Sequence, residues 1–337
     1  MFVHILAARP NFIKANPLIQ ELSSRGYENI IIHTNQHYDY KMSKIFFDEL
    51  NIPEPHYHLE VGSGTHANQT ADALIKIEEK LIELKPKYVV VYGDVNSSLS
   101  GAIAASKLNI PIIHVESGCR SYDDTMPEEI NRKVIDSIST LLTCTEESAA
   151  NVLNDSGIKN YVIAGNTAID SLYSLISKTP SLDFPYYLCT LHRPFNVDDK
   201  LKLDKILTKL NKFSSPVIIP AHPRLKKNIT KEYNNIVFIE PLGYSEFISY
   251  IKNSIGVISD SGGVQCEAAF FKVPLLTLRP STEHLITLQY GNKLINVDQL
   301  EESSFEKDFK NDTPKIWDGN ASSRIVNFIL EYDSRNS

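Results

Sequence analysis

Short apolar runs alternate with amphipathic segments along this chain, and that alternation restricts the possible folds more than any other feature. Residues 88–92 read YVVVY and residues 112–115 read IIHV, with a helical segment between them. Strands that alternate with helices predict a parallel, doubly wound sheet of the α/β class. Such sheets bind ligands beyond the carboxyl ends of their strands. The polar residues that directly follow the strands are therefore the first candidates for a functional site.

The alternation runs through two successive sets of strands. In the first half we predict strands at 2–8, 30–33, 88–92, 112–115, 141–144 and 161–164. Helical faces are predicted from residues 11–24, from Met42, Ile45, Phe46 and Leu50, and from Leu74, Ile77, Leu81 and Leu84. In the second half we predict strands at 186–191, 217–221, 236–239, 255–258 and 275–278.

A chain of 337 residues exceeds one ordinary hydrophobic core, which predicts two domains. We place an N-terminal Rossmann-like domain at 1–166 and a C-terminal Rossmann-like domain at 167–319. A last amphipathic helix at 320–333 is predicted to pack back on the first domain. Because both halves carry polar residues at their strand ends, we expect the two domains to face each other across a central cleft.

Three acidic residues are placed near the strand ends of the first domain. Asp94 follows the run 88–92 after one glycine, Glu116 ends the run 112–115, and Glu128 lies in a helix start that reads PEEINR. Carboxylates whose pKa values are raised by burial and by like charge are suited to exchanging protons near neutral pH. Stabilisation of the helix dipole is the simpler explanation for Glu128 alone, and a magnesium site is a competing explanation for the set.

A glycine turn in the second domain is suited to a phosphate. Residues 259–267 read SDSGGVQCE and stand between an apolar run and a helix. This places Ser261 at a helix start, where Gly262 and Gly263 let a ligand approach the backbone N–H groups. Glu267, one turn further on, can accept hydrogen bonds from two ribose hydroxyls. A capped turn without a ligand is the simpler alternative for such a stretch.

Cationic residues and histidines follow other strands. The loop after the first strand reads AARP and has no GxGxxG motif, which argues against a dinucleotide held in the usual Rossmann way. Instead, Arg9 and Lys14 offer positive charges to a phosphate. In the second domain, strands end in His192 and Arg193 and in His222. Each alone is equally well explained as a surface or structural group, but their shared position favours a functional role.

Composition disfavours several classes of function. The formal net charge of −7 argues against a dedicated nucleic-acid binder. The chain has no apolar run of about 18 residues, and its start, MFVHILAARP, does not resemble a signal peptide, so we expect no membrane span and a cytoplasmic location. The four cysteines have no CxxC spacing, which disfavours a disulfide framework and a zinc site.

Nine motifs together resemble one family, the non-hydrolysing UDP-N-acetylglucosamine 2-epimerases, which are related in fold to the GT-B glycosyltransferases. The motifs are ARPNFIK (8–14), HYDYKMSKIFFDELNIPEP (37–55), GDVNSS (93–98), HVESGCRS (114–121), MPEEINR (126–132), GNTAID (165–170), HRPFNVDD (192–199), AHPR (221–224) and SDSGGVQCEA (259–268). The resemblance covers nearly the whole chain. It implies a UDP-sugar substrate, no redox cofactor and a cytoplasmic homodimer. We also expect no metal and no other cofactor.

The resemblance also implies roles for individual residues. The family's proton-handling acids match Asp94, Glu116 and Glu128, and its catalytic-site histidine matches His192. The positions implied to bind substrate are Arg9, Lys14, Arg132, Arg193, His222, Phe247 near the uracil, Ser261, Gly262 and Gly263 in the phosphate loop, and Glu267 at the ribose.

The chain departs from the family's usual sequence within several motifs. Asn11, Phe195 and Cys266 each replace a usual glutamate, and the usual Thr-Glu-Arg-Pro-Glu becomes TEHLI at residues 282–286. We expect this last stretch to line the sugar and to alter which sugar is accepted, whether UDP-N-acetylglucosamine or a related UDP-2-acetamido sugar.

The mechanism that the family implies is reversible elimination. A base removes the proton at C2 of the sugar while UDP leaves C1, and UDP adds again after a proton reaches the opposite face of C2. Three alternatives stay open at this point. They are a GT-B glycosyltransferase, a hydrolysing 2-epimerase that releases UDP and free sugar, and a nucleotide-sugar-binding regulator without catalysis.

Overall fold

The computed structural model describes residues 1–35, 50–175, 184–305, 309–310 and 312–336. The predicted helical face of Met42, Ile45 and Phe46 lies outside these residues. The chain divides into two compact units. Unit 1 consists of Met1–Ser174 and Lys315–Ser337, and unit 2 consists of Leu175–Pro314.

Unit 1 is built on a seven-stranded parallel sheet with the order β3-β2-β1-β4-β5-β6-β7. Its strands are β1 (Phe2–Leu6), β2 (Asn29–Asn35), β3 (Tyr57–Val61), β4 (Tyr88–Tyr92), β5 (Ile112–Ser117), β6 (Leu141–Cys144) and β7 (Tyr161–Ile163). Its helices are α1 (Arg9–Ser24), α2 (His66–Leu84), α3 (Asn96–Lys107), α4 (Pro127–Ile138), α5 (Glu147–Asp155) and α6 (Thr167–Leu175). The order of strands reverses direction between β1 and β4.

Burial explains why these segments form strands. Every residue of β1, β4 and β5 is buried, because helices cover both faces of the sheet and leave no solvent-facing side for polar residues. The edge strand β3 differs, since its first four residues alternate between partly buried and exposed and only Val61 is buried. Its sequence, YHLEV, lacks a continuous apolar run, which explains why the sequence pattern did not reveal it.

Unit 2 repeats this plan with six parallel strands in the order β10-β9-β8-β11-β12-β13. The strands are β8 (Tyr187–Thr190), β9 (Val217–Pro220), β10 (Ile236–Ile239), β11 (Gly256–Ser259), β12 (Leu275–Thr277) and β13 (Asn292–Leu294). The helices are α7 (Pro194–Val197), α8 (Lys200–Leu210), α9 (Pro223–Lys226), α10 (Tyr244–Asn253) and α11 (Gly262–Phe271), with 3₁₀ turns at Leu285–Gln289, Val297–Gln299 and Glu302–Ser304. The order reverses between β8 and β11.

The chain returns to unit 1 through helix α12 (Ala321–Asn336). The side chain of Asp170 on α6 accepts hydrogen bonds from the backbone N–H groups of Ala321 (3.2 Å) and Ser322 (2.8 Å). Further along, Asp333 accepts a hydrogen bond from the hydroxyl of Tyr88 at 2.7 Å. Helix α6 therefore belongs with unit 1, and the division of the chain falls after Ser174, one helix later than the predicted boundary at residue 166.

The predicted α/β class, with two parallel sheets interleaved with helices, is confirmed. In each sheet the reversal of strand order opens a place for ligands beyond the strand ends. The expected cleft between the two domains stays a prediction. Within the described residues, no helix is both long and apolar enough to cross a membrane.

Candidate functional site

The carboxyl edge of the unit 1 sheet carries a pocket of about 240 Å³, called here the acid pocket. Two of the predicted acids, Asp94 and Glu128, line it. The remaining lining residues are Ala7, Ala8, Val61, Gly62, His66, Gln69, Val95, Asn96, Ser97, Pro127 and Asn131. The loops after β1 and β4 both contribute, so the acid pocket lies where the strand order reverses.

Glu116, the third predicted acid, lies beside this pocket at the end of β5. Its carboxylate pairs with the ammonium of Lys14 at 2.6 Å, and the two side chains are only 9% and 17% exposed. Burial alone would lower the pKa of Lys14, but the charges of Glu116 and Asp94 raise that pKa above its usual value. The Lys14 side chain is therefore a protonated cation held among the acids.

The backbone at Glu116 is also unusual. Its φ angle is +68°, in the left-handed region that non-glycine residues rarely adopt. The pairing of β5 with β6 shifts register between Val115 and Ser117, on either side of this residue. Strained backbone that the surrounding structure maintains is concentrated at functional sites. The strain at Glu116 thus adds a structural reason to place this acid in the chemistry.

Asp94 is held by a buried arginine. Its carboxylate forms an ion pair with Arg132, whose other terminal nitrogen lies 2.7 Å from Glu129. The Asp94 side chain is 24% exposed and Arg132 is almost fully buried. Arg132, predicted to bind substrate, is therefore placed beside the acids with two carboxylates around it. In this structure it orients Asp94.

The adjacent acids Glu128 and Glu129 have different environments. Glu128 lines the acid pocket, whereas Glu129 is fully buried and accepts hydrogen bonds from the backbone N–H groups of Ser121 (2.9 Å) and Tyr122 (3.2 Å). Burial opposes ionisation of Glu129, but these bonds and the charge of Arg132 lower its pKa overall. Glu129 thus fixes a loop, whereas Glu128 is part of the pocket lining.

Amide and imidazole groups form one wall of the acid pocket. The amide of Asn96 donates to Gln69 at 3.1 Å and lies 3.0 Å from Nδ1 of His66. Asn131 donates to the side-chain oxygen of Asn96 at 3.2 Å. These groups can bind hydroxyls or an acylamino substituent of a sugar. No local pattern in the sequence indicated this wall, because its members come from three separate helices.

In unit 2, the reversal of strand order between β8 and β11 places a histidine beside an aspartate. Nδ1 of His192 lies 2.8 Å from Oδ1 of Asp260, and the imidazole is 53% exposed while the carboxylate is buried. Asp260 also accepts bonds from the backbone N–H groups of His192 and Arg193 and from the amide of Asn196. Burial would raise the pKa of Asp260, but these donors and His192 lower it. The ionised Asp260 orients the imidazole toward solvent.

The predicted phosphate loop begins helix α11, as expected. Ser261 is its N-cap residue and Gly262 and Gly263 form its first turn. Apart from its chain neighbours and the backbone of its own helix, no described atom lies within 4 Å of a Cβ placed on Gly263, so that side of the turn is open. A Cβ on Gly262 would lie 2.6 Å from Glu283, so packing inside the protein also requires glycine there.

The altered stretch 282–286 packs against this turn. Glu283 forms a buried ion pair with Arg279 at 2.7 Å, and Nε2 of His284 lies 3.6 Å from the position of a Cβ on Gly262. His284 is buried, Ile286 is half-buried and Leu285 is partly exposed. Whether these residues tune the sugar stays a prediction. Their contacts place them beside the helix start that was assigned to phosphate.

The predicted ribose acid, Glu267, is buried against helix α10. The hydroxyl of Tyr244 donates to Glu267 Oε1 at 3.0 Å. Burial raises the pKa of Glu267 to about 7, although the bond from Tyr244 opposes the shift. Phe247, assigned to the uracil, lies on the same helix three residues after Tyr244 and is half-buried. With a pKa of about 7, the carboxyl group of Glu267 changes its charge near neutral pH.

The other predicted binding residues occupy the strand ends or helix starts expected from the sequence. Arg9 begins helix α1, and its side chain lies outside the described part of the chain. Arg193 is the N-cap residue of α7. His222 is exposed, precedes α9, and accepts a hydrogen bond from the backbone N–H of Arg224 at 3.3 Å. Their roles stay predictions.

Three departures from the family's usual sequence have structural environments of their own. Asn11 is buried, caps the loop before α1 through the N–H of Ala8 (3.1 Å), and donates to the carbonyl of Tyr92 (3.0 Å). Cys266 is buried within α11, and Phe195 is exposed on α7 beneath the ammonium of Lys202. The Phe195 side chain therefore lies on the surface, whereas Asn11 shapes the edge that carries Asp94.

Among the residues that the structure describes, no three Asp, Glu, His or Cys side chains are close enough to share a metal ion. Asp94 and Glu116 are paired instead with Arg132 and Lys14. The expectation of no metal stays a prediction. The charge of these two acids is balanced by side-chain cations.

Comparisons with known proteins agree on one family. A family model described as UDP-N-acetylglucosamine 2-epimerase matches residues 20–330. A Methanococcus maripaludis protein named UDP-N-acetylglucosamine 2-epimerase homolog is 42% identical, with 97% of this chain and 98% of that protein covered. A Pseudomonas aeruginosa protein named UDP-2,3-diacetamido-2,3-dideoxy-D-glucuronate 2-epimerase is 38% identical, with 97% and 98% covered.

A solved structure gives the same result. The crystal structure of the Methanocaldococcus jannaschii UDP-GlcNAc 2-epimerase in complex with UDP-GlcNAc and UDP superposes with a TM-score of 0.87 at 39% identity. The alignment covers 98% of this chain and 99% of that one. Sequence and structure thus match over almost the full length.

Proposed function

The chain belongs to the UDP-N-acetylglucosamine 2-epimerase family, and from this membership we propose that it is an isomerase that inverts C2 of a UDP-2-acetamido sugar. One observation in the structure carries the proposal. Asp94 and Glu128 line one pocket, and Glu116 lies beside it in a strained backbone conformation. Inversion at C2 needs proton transfer on both faces of that carbon, and this edge supplies several carboxylates for it.

The reaction we propose is elimination followed by addition. One carboxylate takes the proton from C2, the C1–O bond breaks with its electron pair moving to UDP, and a 2-acetamidoglucal forms. A second group then delivers a proton to the opposite face of C2 as UDP adds back to C1. Each positioned acid or base contributes roughly 10²–10⁴-fold to the rate. We assign the two roles to the set of Asp94, Glu116 and Glu128 as a group.

We propose that unit 2 holds the nucleotide. The open start of helix α11 at Gly263 offers N–H groups and the positive end of a dipole to a diphosphate. His192, oriented by Asp260, adds a donor or a positive charge that stabilises UDP as it leaves. Glu267 then accepts hydrogen bonds from the ribose. These residues retain bound UDP while the glucal exists.

The sugar that we propose first is UDP-N-acetylglucosamine, interconverted with UDP-N-acetylmannosamine. Relatives at 42% and 38% identity carry different sugars in their names, so overall identity does not select between them. A related UDP-2-acetamido sugar is therefore the alternative to be compared in the same assay. The family also leads us to expect a cytoplasmic homodimer, which sedimentation equilibrium of the purified protein will test.

The test is proton NMR of UDP-N-acetylglucosamine with the protein in deuterated water, with EDTA present. We expect the C2 epimer to form and both epimers to gain deuterium at C2. Accumulation of free UDP and sugar would instead indicate a hydrolysing epimerase. An unchanged sugar that is transferred only when an acceptor is added would indicate a glycosyltransferase. UDP binding without turnover of any UDP-2-acetamido sugar would indicate a regulator and contradict the proposal.

A further inference from the structure

The backbone that carries Asp94 is held by side chains at three successive carbonyl groups. The carbonyls of Tyr92, Gly93 and Asp94 each accept a hydrogen bond from a side chain. The donors are Asn11 Nδ2 (3.0 Å) and Ser98 Oγ (2.8 Å) to Tyr92, His114 Nε2 (3.0 Å) to Gly93, and Asn131 Nδ2 (2.8 Å) to Asp94. Four separate elements thus fix one short turn.

His114 differs from the other donors because both of its ring nitrogens face acceptors. Nε2 lies 3.0 Å from the carbonyl oxygen of Gly93, and Nδ1 lies 2.7 Å from Oδ1 of Asp136. A carbonyl oxygen has no hydrogen to donate, and neither has an ionised carboxylate. Each ring nitrogen must therefore carry its own hydrogen. His114 is an imidazolium in this arrangement, although it is fully buried.

The surroundings of Asp136 keep it ionised. Its second oxygen lies 2.7 Å from a terminal nitrogen of Arg120 and accepts a hydrogen bond from the backbone N–H of Gly118 at 3.2 Å. Burial alone would raise the pKa of Asp136, but the hydrogen bond and charge of His114 and the charge of Arg120 lower it overall. Asp136 is thus an anion between two cations, and a buried charge of this kind is stable only when paired.

The Gly93 peptide lies directly beside the proton-transfer groups. Gly93 has a φ angle of +60°, and a Cβ placed there would lie 3.4 Å from Lys14 Nζ and 3.5 Å from Glu116 Oε1. Asp94 is the next residue. The orientation of this peptide therefore sets the separation between the carboxylate of Asp94 and the Lys14–Glu116 pair. His114 itself is fully buried, so it acts on the acids only through the backbone.

We propose that His114, kept as an imidazolium by Asp136, is a positioning residue for inversion at C2. It fixes the Gly93 peptide and thereby the spacing of Asp94 and Glu116. This inference rests on the proposed function and assigns a role to a buried ion pair that touches no ligand. A misplacement of about 1 Å between reacting groups can lower a rate about 100-fold, so a peptide fixed in this way affects the rate directly.

The same sheet contains a matched control. His4 on β1 is as fully buried as His114, but its Nδ1 faces the hydroxyl of Tyr92 (2.8 Å) and its Nε2 faces the side-chain oxygen of Asn29 (2.9 Å). A hydroxyl can donate as well as accept, so one hydrogen on the ring satisfies both contacts. Burial also lowers the pKa of His4 to about 4. His4 is therefore a neutral buried histidine within the same sheet.

The first part of the test reads the protonation of both rings without substrate. Protein labelled with ¹⁵N-histidine is examined by NMR at pH 7, and signals are assigned with His114→Gln and His4→Gln. We expect two protonated nitrogens for His114, because both face acceptors, and one for His4. A single protonated nitrogen in His114 would overturn the proposal, whether or not the protein epimerises any sugar.

The second part compares kcat for epimerisation, UDP affinity and melting temperature in the same two variants and in Asp136→Asn. We expect His114→Gln and Asp136→Asn to lower kcat about 10- to 100-fold, while UDP affinity changes less than about threefold. His4→Gln should lower the melting temperature with kcat within about threefold of wild type. If kcat falls equally in His4→Gln, or is unchanged in Asp136→Asn, His114 is structural and the inference is wrong. An inactive wild-type protein would instead contradict the proposed function.

Discussion

The two units have the same strand order and place their candidate residues at the same point of the sheet, yet the side chains there differ in kind. In unit 1, carboxylates alternate with cations, as Asp94 pairs with Arg132 and Glu116 with Lys14. In unit 2, the edge presents an exposed histidine and an open helix start. The topology thus determines where a ligand binds, and the residues at the strand ends determine which chemistry takes place there.

The two histidine–aspartate pairs show the same contrast at the scale of one side chain. His114 is fully buried and uses both ring nitrogens on protein groups, whereas His192 is 53% exposed and directs one nitrogen to Asp260. The first pair can only hold the backbone. The second pair leaves part of the imidazole accessible to a ligand. The function of a histidine beside an aspartate therefore depends on the group that its other ring nitrogen contacts.

The largest effect that separates the units is expected from the acids of unit 1. Asp94→Asn and Glu116→Gln keep the size of the side chain and remove its ability to take a proton, so each should lower kcat at least about 100-fold. UDP affinity, measured by calorimetry, should change less than about threefold. Asp124→Asn is the control, because Asp124 forms an exposed ion pair with Lys133 and does not line the acid pocket.

Stability has to be followed in the same variants. Removing one partner from a buried ion pair leaves the other charge uncompensated, so both substitutions are expected to lower the melting temperature. Rates are therefore compared at a temperature where every variant is folded. Near wild-type kcat in both acid variants would show that these acids of unit 1 do not transfer the protons. It would contradict the proposed difference between the two units.

A smaller effect, about tenfold, is expected from Glu267 in unit 2. Its pKa of about 7 means that it loses its charge as the pH falls from 8 to 6. Because ribose hydroxyls donate to the ionised carboxylate, UDP should bind less tightly at pH 6 than at pH 8. Glu267→Gln should weaken UDP binding about tenfold at pH 8 and much less at pH 6.

The comparison with Glu267→Gln is essential, because the terminal phosphate of UDP also titrates near pH 6. Only the ratio of the UDP dissociation constant of Glu267→Gln to that of the wild type, taken at each pH, reports on Glu267. A ratio that does not vary between pH 6 and pH 8 would show that this carboxyl group does not bind the ribose in its ionised form.

The smallest effect is expected from a substitution in the altered stretch 282–286. This substitution tests whether the stretch contacts the sugar or the nucleotide. His284 packs beside Gly262 at the start of α11, so His284→Arg places a permanent positive charge near the site proposed for the diphosphate. We expect UDP affinity to rise about two- to fivefold and the ratio of rates for two UDP-2-acetamido sugars to stay constant. Leu288→Arg adds the same charge on an exposed side chain and serves as the control.

The opposite result, an altered ratio of sugar rates with unchanged UDP affinity, would support the expectation drawn from the sequence. It would also show that unit 2 helps to select the sugar. The two units would then differ in proton transfer but not in selection of the sugar.

The sequence predicted where the candidate side chains lie, because the carboxyl ends of parallel strands meet at one edge. This rule found Asp94, Glu116 and His192, and it could have found Asp260, which follows β11 as directly as Asp94 follows β4. It could not predict the pair of Lys14 and Glu116, which are distant in sequence and meet only in the folded sheet. Edge strand β3 was missed because an edge needs no continuous apolar run.

Two further features depend on burial that no local pattern reveals. Glu128 and Glu129 are adjacent and identical, yet one lines the acid pocket and the other fixes a loop, because successive residues on a helix face different directions. The state of His114 depends on two acceptors that lie on other elements, one on the turn after β4 and one on α4. Such assignments require the packed structure.

We assign proton transfer to unit 1 and nucleotide binding to unit 2, and the most direct test of this assignment compares Glu116→Gln with Glu267→Gln in one experiment. The rate of deuterium incorporation at C2 is measured at saturating UDP-sugar, and UDP affinity is measured in parallel at pH 8. We predict that Glu116→Gln lowers the incorporation rate at least about 100-fold with UDP affinity nearly unchanged. Glu267→Gln should weaken UDP binding about tenfold and keep the saturated rate within about threefold of wild type. The reverse pattern, with incorporation lost in Glu267→Gln and retained in Glu116→Gln, would contradict the assignment of proton transfer to unit 1 and of nucleotide binding to unit 2.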